Sequence, residues 1–468
     1  MEKFDLIVIG SRAGLDIATA AAEDKGLKVA IIEKSKLGGT CLNIGGIPSK
    51  LLIYSADIIE IIKKADTFGI KVNEYSIDFK KIISRVNKII DAATNKIKKD
   101  LEGSNNPRLF SQDCKFIGEK KIAIANNEII TADKILIASG TRPNIPKING
   151  LENVNYITST EALCLKYQPK TLTIIGGGYI ACEFAHFFGA LGTKINIIQR
   201  NNFSIPNEDI DVSRKFTKIF SKKYNVYLGY NTEMVRYNYE NKNNQKIFNV
   251  IIKDKFGKSM EIDSEQLLIA TGRTPNSDLL DIEKSGIKIN EKGFILVDEY
   301  LETNIEGIFA LGDVVGKYQF KHNANNEAYY AYNNILYPNN KLSVNYNAIP
   351  HAIFTSPQIA GVGYTEQQLK KEKIEYVRSI CPYIQTAMGK AIEDKDGFVK
   401  FLIDKKNKHI LGCHIMGTDA SILIHEVLVA MRTAEGKIDN ITNTIHIHPA
   451  LSEVVNRAAS IHIFDMVI

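Results

Sequence analysis

Leu172-Thr173-Ile174-Ile175-Gly176-Gly177-Gly178-Tyr179-Ile180-Ala181 decides how this chain folds. A short, fully apolar run reads as a buried parallel strand. The glycines that follow permit a tight turn and let backbone approach a pyrophosphate resting on the next helix. The spacing predicts a helix to about residue 190 and a second strand at Lys194-Ile195-Asn196-Ile197-Ile198. In that strand–helix–strand setting the glycine run is a strong dinucleotide signal, whereas alone it is weak. Gly176, Gly178 and Ala181 are the expected contacts. The acid that normally closes the second strand is absent; Gln199 and then Arg200 stand there. A neutral residue beside an arginine suits a 2′-phosphate and favours NADPH over NADH.

The same grammar occurs at the N-terminus. Phe4 to Gly10 is an apolar strand ending in glycine, 14–25 is Ala-rich with helical spacing, and Lys28 to Glu33 is a strand ending in an acid. Here the phosphate loop is altered. Gly10 and Gly14 are in place, and Glu33 stands nineteen positions beyond Gly14, where a ribose acid belongs. Arg12 occupies the glycine position at which backbone touches pyrophosphate, and Leu15 replaces the third glycine. The Arg12 Cβ is expected to intrude on the contact, with strain of order 1–3 kcal/mol if unusual backbone angles are needed. Leu15 is expected to loosen helix–strand packing. The alternative for Arg12 is that its charge is offered to a phosphate.

Ile135 to Pro143 and Leu267 to Pro275 resemble each other, Ile-Ala-Ser-Gly-Thr-Arg-Pro against Ile-Ala-Thr-Gly-Arg-Thr-Pro, and mark where the chain leaves one module for the next. Beyond about 347 strand-like runs at 399–403 and 409–413 alternate with helices expected at 420–434 and 449–459, a separate α+β unit.

Composition bounds the rest. With 468 residues, 44% apolar and 24% charged, the chain is of ordinary globular make-up and of about three domains. Its net charge of +6 lies in Lys-rich runs such as Lys96 to Lys99, Lys222-Lys223 and Lys370-Lys371, read as solvated helix faces rather than a nucleic-acid footprint. Six scattered cysteines, 41, 114, 164, 182, 381 and 413, give no metal-type spacing and suit a reducing compartment. No apolar run reaches the ~18 residues of a membrane span. A cytoplasmic location, with no membrane or nucleic-acid partner, is expected.

Gly38-Gly39-Thr40-Cys41-Leu42-Asn43-Ile44-Gly45-Gly46-Ile47-Pro48-Ser49-Lys50 has the form of a redox motif with one half missing. Together with Gly176 to Glu183, Ile269 to Asn276, Ala310 to Val314, Phe354 to Pro357 and His448 to Glu453, it makes the chain resemble the pyridine nucleotide–disulfide oxidoreductases over essentially its whole length. That flavoprotein family includes dihydrolipoamide dehydrogenase, glutathione reductase and mycothione reductase. Tyr318 to Asn325 and Ala450 tilt the likeness to the mycothione reductase branch and its dihydrolipoamide dehydrogenase-like neighbours.

The resemblance implies an α/β fold of two Rossmann-like modules and a C-terminal α+β dimerisation domain. It divides the chain into an FAD-binding domain in two parts, 1–147 and 276–346, an NAD(P)-binding domain at 148–275 and a dimerisation domain at 347–468. FAD would contact Gly10, Arg12, Gly14, Glu33, Gly39, Thr40, Lys50, Ser139, Gly140 and Asp313. The pyridine nucleotide would contact Gly176, Gly178, Ala181, Glu183, Arg200 and Gly272. Lys50 would pair with Glu183. Cys41 matches the cysteine that exchanges with substrate, and Gly46 stands where its redox partner belongs. His448, oriented by Glu453, would be the acid–base for the thiol of the other subunit in a homodimer. The five other cysteines are read as buried apolar residues, Cys182 being the best of them as a replacement thiol, and His446 as a satisfied surface histidine.

Three functions follow as expectations: a disulfide or lipoyl oxidoreductase with exchange impaired at Gly46 and FAD retention threatened at Arg12; a flavin-only NAD(P)H:acceptor oxidoreductase; or a non-catalytic dimeric scaffold that has lost FAD.

Overall fold

The computed structural model describes residues 1–125, 128–238, 246–433 and 435–465. Its first unit is a mixed sheet whose parallel strands are built on the N-terminal apolar run, with Lys121–Ile124 and Cys114–Gly118 added antiparallel at one side. Strand Glu2–Ile9 lies between Val29–Ile32 and Glu128–Ile137, and Arg108–Phe110 extends the sheet beyond Val29–Ile32. The later strand Ile308–Ala310 also pairs in parallel with Glu128–Ile137, so the chain leaves this sheet and returns to it. Val29 to Ile32 is buried at every position, as a strand covered on both faces must be.

The second unit orders its parallel strands Asn225–Leu228, Lys194–Gln199, Thr171–Ile175 and Gln266–Ile269. An antiparallel three-stranded sheet, Tyr230–Asn238, Ile247–Asp254 and Ser259–Ser264, packs beside it. The two look-alike segments pair with each other: Thr141–Pro143 runs antiparallel to Arg273–Pro275. They form the crossing ribbon between modules.

The third unit is a five-stranded antiparallel sheet, Pro350–Ile353, Gln358–Gly363, Ile410–Gly417, Phe398–Asp404 and Tyr376–Pro382 in spatial order. Helices Ala420–Arg432 and Glu453–Asp465 pack on it. The last helix starts later than the expected 449, because Pro449 and the residues after it form turns. Glu453 in its first turn then faces the positive end of the helix dipole.

The second and third units are locked by a buried charge cluster. Lys400, fully enclosed on a central strand, donates to Asp209 at 2.7 Å, Asp211 at 2.6 Å and Glu366 at 2.6 Å. Burial alone would raise the Glu366 carboxyl, but hydrogen bonds from Lys370, Lys400 and Tyr376 outweigh it and hold the group at about 2. That lies below the value of about 4.3 for an unfolded glutamate. Its contribution to stability is therefore complete above that value and lost as pH falls through about 2. The urea midpoint of Glu366→Gln is expected to fall less steeply with acid than that of the parent. Lys400→Met, which removes the cation shared by three carboxylates and leaves buried Asp209 without an ion-pair partner among the described residues, is expected to cost ~3–5 kcal/mol in the same denaturation. Equal acid slopes for parent and Glu366→Gln would refute the assignment.

Among the described residues no helix is long and apolar enough to cross a membrane.

Candidate functional site

A cavity of about 830 Å³ runs from the end of the first sheet to the second unit, and most of the residues expected to contact FAD converge on it. Gly10, Arg12, Glu33, Gly39, Thr40, Cys41, Gly46, Lys50, Ser139, Gly140, Glu183 and Asp313 all line it. Gly10 has φ +107°, and a methyl group there would lie 2.4 Å from the Ala138 carbonyl oxygen, so only glycine makes this turn.

The phosphate loop corrects two expectations. Gly14 does not line the cavity; a methyl group on it would stand 2.5 Å from Val8 Cγ1. Gly14 thus provides the close helix–strand approach, and Leu15 is partly buried against the same core. Arg12 sits at φ −105°, outside the left-handed region, so no left-handed strain arises there. Its Nε is buried and has no hydrogen-bond partner among the described residues. Glu33 is already held: its carboxylate accepts from Ser11 N at 3.0 Å, Ser11 Oγ at 2.8 Å and Ser35 N at 2.9 Å. Ser11 Oγ in turn accepts from Gly38 N at 3.1 Å, which ties the phosphate loop to the segment carrying Cys41. The sequence reading missed Ser11, since nothing marks the variable position of a glycine loop.

Cys41 lies in the short helix Gly39–Asn43. Asn43 fastens this turn by donating to the Lys36, Leu37 and Gly39 carbonyls at 2.9–3.1 Å, and its Oδ1 accepts from Thr94. Gly46 opens the helix Gly46–Lys64. A methyl group at Gly46 would meet only Cys41 Sγ, at 3.6 Å. One turn on, Lys50 Nζ donates to both Glu183 oxygens at 2.8 Å and lies 4.6 Å from the Phe354 ring centre. Glu183 also accepts from Phe354 N at 3.0 Å, so the pair joins all three units.

Asp313 accepts from Thr141 Oγ1 at 3.1 Å, and burial raises its carboxyl. Arg273 donates to Thr141 Oγ1 and O, both at 2.7 Å, bracing the ribbon beneath it. Ser139 Oγ is buried with no partner among the described residues. The free backbone donors of the uncapped helix Ala13–Lys25, Arg12 Nε and Ser139 Oγ therefore offer hydrogen bonds to a bound group. This donor set fits the diphosphate-bearing dinucleotide that the fold implies.

In the second unit Gly176 has φ +118°, and a methyl group there would lie 2.2 Å from the Ala270 carbonyl oxygen. Gly178 and Gly272 face open space, and Ala181 is fully buried. Gln199 is buried; a methyl group on Gly177 would lie 2.7 Å from its Nε2. Arg200 is exposed, and among the described residues it has no ion pair.

His448 Nδ1 meets Glu453 Oε1 at 2.9 Å, and that hydrogen bond lowers the Glu453 carboxyl. The His448 side chain is 68% exposed and does not line the cavity that holds Cys41. His446 is not a surface group as expected: its side chain is buried, with Glu426 at Nε2 and the Thr444 carbonyl 2.9 Å from Nδ1. Cys164 is exposed, contrary to expectation. Cys114, Cys182, Cys381 and Cys413 are buried. Cys182 points to the Gly177 carbonyl, not into the cavity, and burial raises its thiol, so it does not replace the missing partner. Burial pushes the Cys114 thiol up to about 12.

Two dinucleotide modules meeting at an accessible thiol, with a lysine–glutamate pair beside it, define a flavoprotein oxidoreductase. The sequence matches the family described as pyridine nucleotide-disulphide oxidoreductase over residues 4–328, and that family's dimerisation domain over 349–459. It is 33% identical to the mycothione reductase of Mycobacterium tuberculosis over 467 residues, covering 98% of this chain and 99% of that protein. It is 35% identical to the dihydrolipoyl dehydrogenase of Buchnera aphidicola over 467 residues, covering 97% and 95%. The solved HOCl-induced flavoprotein disulfide reductase of Escherichia coli matches with a TM-score of 0.84 at 28% identity, over 97% of this chain and 99% of that one. The chain therefore belongs to the pyridine nucleotide–disulfide oxidoreductase family of FAD-dependent enzymes acting on sulfur groups.

Proposed function

We propose that this chain keeps the nicotinamide half of the family reaction and has lost the dithiol half. The carrying observation is the contrast between two neighbours on one helix: Lys50 is held by both oxygens of Glu183, while Gly46 offers Cys41 no second sulfur. Bound FAD supplies electron transfer between nicotinamide and acceptor. Lys50 and its counter-charge Glu183, fixed to each other in the cavity wall, would help to hold it. Cys41 can attack a substrate disulfide and release one thiol, but the mixed disulfide has no neighbouring thiol to resolve it. Disulfide turnover is thus strongly impaired. The open volume at Gly46 favours a second reading, in which a small non-thiol acceptor reaches the same place and is reduced directly.

Gln199 carries no charge to repel a 2′-phosphate, and exposed Arg200 is available to pair with it, which favours NADPH. The His448–Glu453 pair serves the thiol of the partner subunit in a homodimer. Six free cysteines suit a cytoplasmic setting.

The test is a visible spectrum of the purified protein followed by anaerobic NADPH and NADH. The expected result is a flavin spectrum bleached by both, with NADPH effective at the lower concentration, and negligible turnover of lipoamide or low-molecular-weight disulfides. Absence of flavin, or disulfide turnover at a rate typical of a two-cysteine relative, would refute the proposal.

A further inference from the structure

We propose that Arg12 and Lys321 form a two-cation clamp for the diphosphate of the dinucleotide, replacing the backbone contact that a glycine at position 12 would make. This rests on the reading that the large cavity takes FAD.

Both residues line that cavity, from opposite parts of the sequence. Arg12 immediately precedes the helix Ala13–Lys25, and Lys321 opens the helix Lys321–Leu336. Neither helix start has a side-chain cap, so free N–H groups and the positive dipole ends accompany both cations. The arginine stem passes over Gly39, where a methyl group would lie 2.9 Å from Arg12 Cβ; the absence of a side chain at Gly39 makes room for it. Burial and the Arg12 charge both push the Lys321 ammonium down, Asp16 and Cys41 opposing them, so the cations act on each other across the cavity. Among the described residues neither cation has a carboxylate within ion-pair distance, and Arg12 Nε lacks any acceptor. Lys321 is satisfied only by Asn325 Oδ1, a neutral group.

Two like charges confined at a half-buried site repel each other and lose hydration. A bound dianion turns their repulsion into net attraction and compensates the lost hydration. A planar guanidinium and a point-charge ammonium are the two side chains suited to phosphate oxygens. The ligand class is therefore a diphosphate ester carried by a nucleoside: FAD, with ADP as its minimal fragment.

The experiment uses the full-length protein freed of flavin, titrated calorimetrically with FAD, ADP, inorganic pyrophosphate and riboflavin. Arg12→Ala and Lys321→Gln are each expected to weaken FAD and ADP by ~10- to 100-fold, as loss of a charged hydrogen bond does. Riboflavin, which has no diphosphate, is expected to bind equally to all. Arg12→Lys should recover part of the loss, and added salt should weaken the parent more than either variant. Melting curves confirm that each variant is folded. Arg12→Gly or Arg12→Ala binding FAD as tightly as the parent, or more tightly, would overturn the clamp and make Arg12 an obstruction. FAD bound equally by parent and variants leaves the cofactor reading intact and removes the clamp. ADP and pyrophosphate bound through Arg12 without any FAD binding leaves the clamp and removes the cofactor reading.

Discussion

Gly46→Cys is expected to raise NAD(P)H-dependent disulfide reduction by about a thousandfold or more, the scale on which loss of an essential nucleophile is felt. The argument is geometric. A Cβ added at 46 would have only Cys41 Sγ within 4 Å, at 3.6 Å. A disulfide needs Cβ atoms about 3.5–4.5 Å apart and a sulfur–sulfur bond of about 2.05 Å. In a bonded pair each Cβ lies about 3 Å from the far sulfur, so the 3.6 Å separation at Gly46 leaves roughly half an ångström to close. Position 46 also opens a 19-residue helix, whose dipole lowers the pKa of a thiol there. The adjacent glycine provides the control: at Gly45 a new carbon would lie 2.8 Å from the Thr40 carbonyl oxygen and 3.2 Å from Cys41 Cα. Gly45→Cys is therefore expected to gain nothing. Thiol titration after unfolding separates bond formation from turnover. The six native cysteines plus the new one make seven, and two should vanish on oxidation and return on reduction. If all seven stay free under oxidant, or exchange remains at the parent rate, Gly46 is not the missing element.

The parts of this molecule legible in its sequence are those where one local pattern has one physical solution. Apolar runs ending in glycine gave parallel strands, and the two look-alike segments meet through the residues just past their glycines, Thr141–Pro143 against Arg273–Pro275. What stayed hidden depended on long-range contact. Gly14 and Leu15 look interchangeable until Val8 is placed beneath one of them. Lys400 reads as an ordinary strand lysine; only the fold brings Asp209, Asp211 and Glu366 to it. The sequence suggests a buried Cys164 and a surface His446, and each has the opposite exposure, because neither residue type fixes its own burial. Lys321 lay within a recognised motif, yet its meaning needs Arg12, some 300 positions away, in the same cavity. The Lys50–Glu183 pair was anticipated from motif likeness alone; its two-oxygen geometry and the third bond from Phe354 were not.

With Gly46→Cys as the active background, His448→Ala is expected to lower disulfide turnover by ~10²–10⁴-fold, the usual worth of a positioned acid–base. The deficit should be repaired by a partner subunit. His448 projects from the third unit with its side chain 68% exposed, and its Nε2 has no hydrogen-bond partner among the described residues. Ile445 and Ile447, beside it, are 98% and 77% exposed in the single chain, as residues awaiting a second subunit would be. Glu453 fixes the other ring nitrogen, and because its carboxyl is held low by that same bond it stays charged through the neutral range. The imidazole is thereby kept in the tautomer that leaves Nε2 free to accept the thiol proton. Two-fold symmetry then makes a sharp arithmetic. A dimer pairing a Cys41→Ser chain with a His448→Ala chain has one doubly damaged site and one intact site. Alone, the Cys41→Ser chain has no exchanging thiol and the His448→Ala chain keeps only its small residual rate. After subunit exchange in equal amounts, half the dimers are mixed and half their sites intact, so about a quarter of full activity should return. Glu453→Gln should behave as a milder version, leaving the histidine present but free to turn. Mixtures that stay inactive, after exchange has been verified by differently tagged chains, would place the acid–base within the same subunit as its thiol. The exposed histidine would then have to reach Cys41 by rearrangement of its own chain.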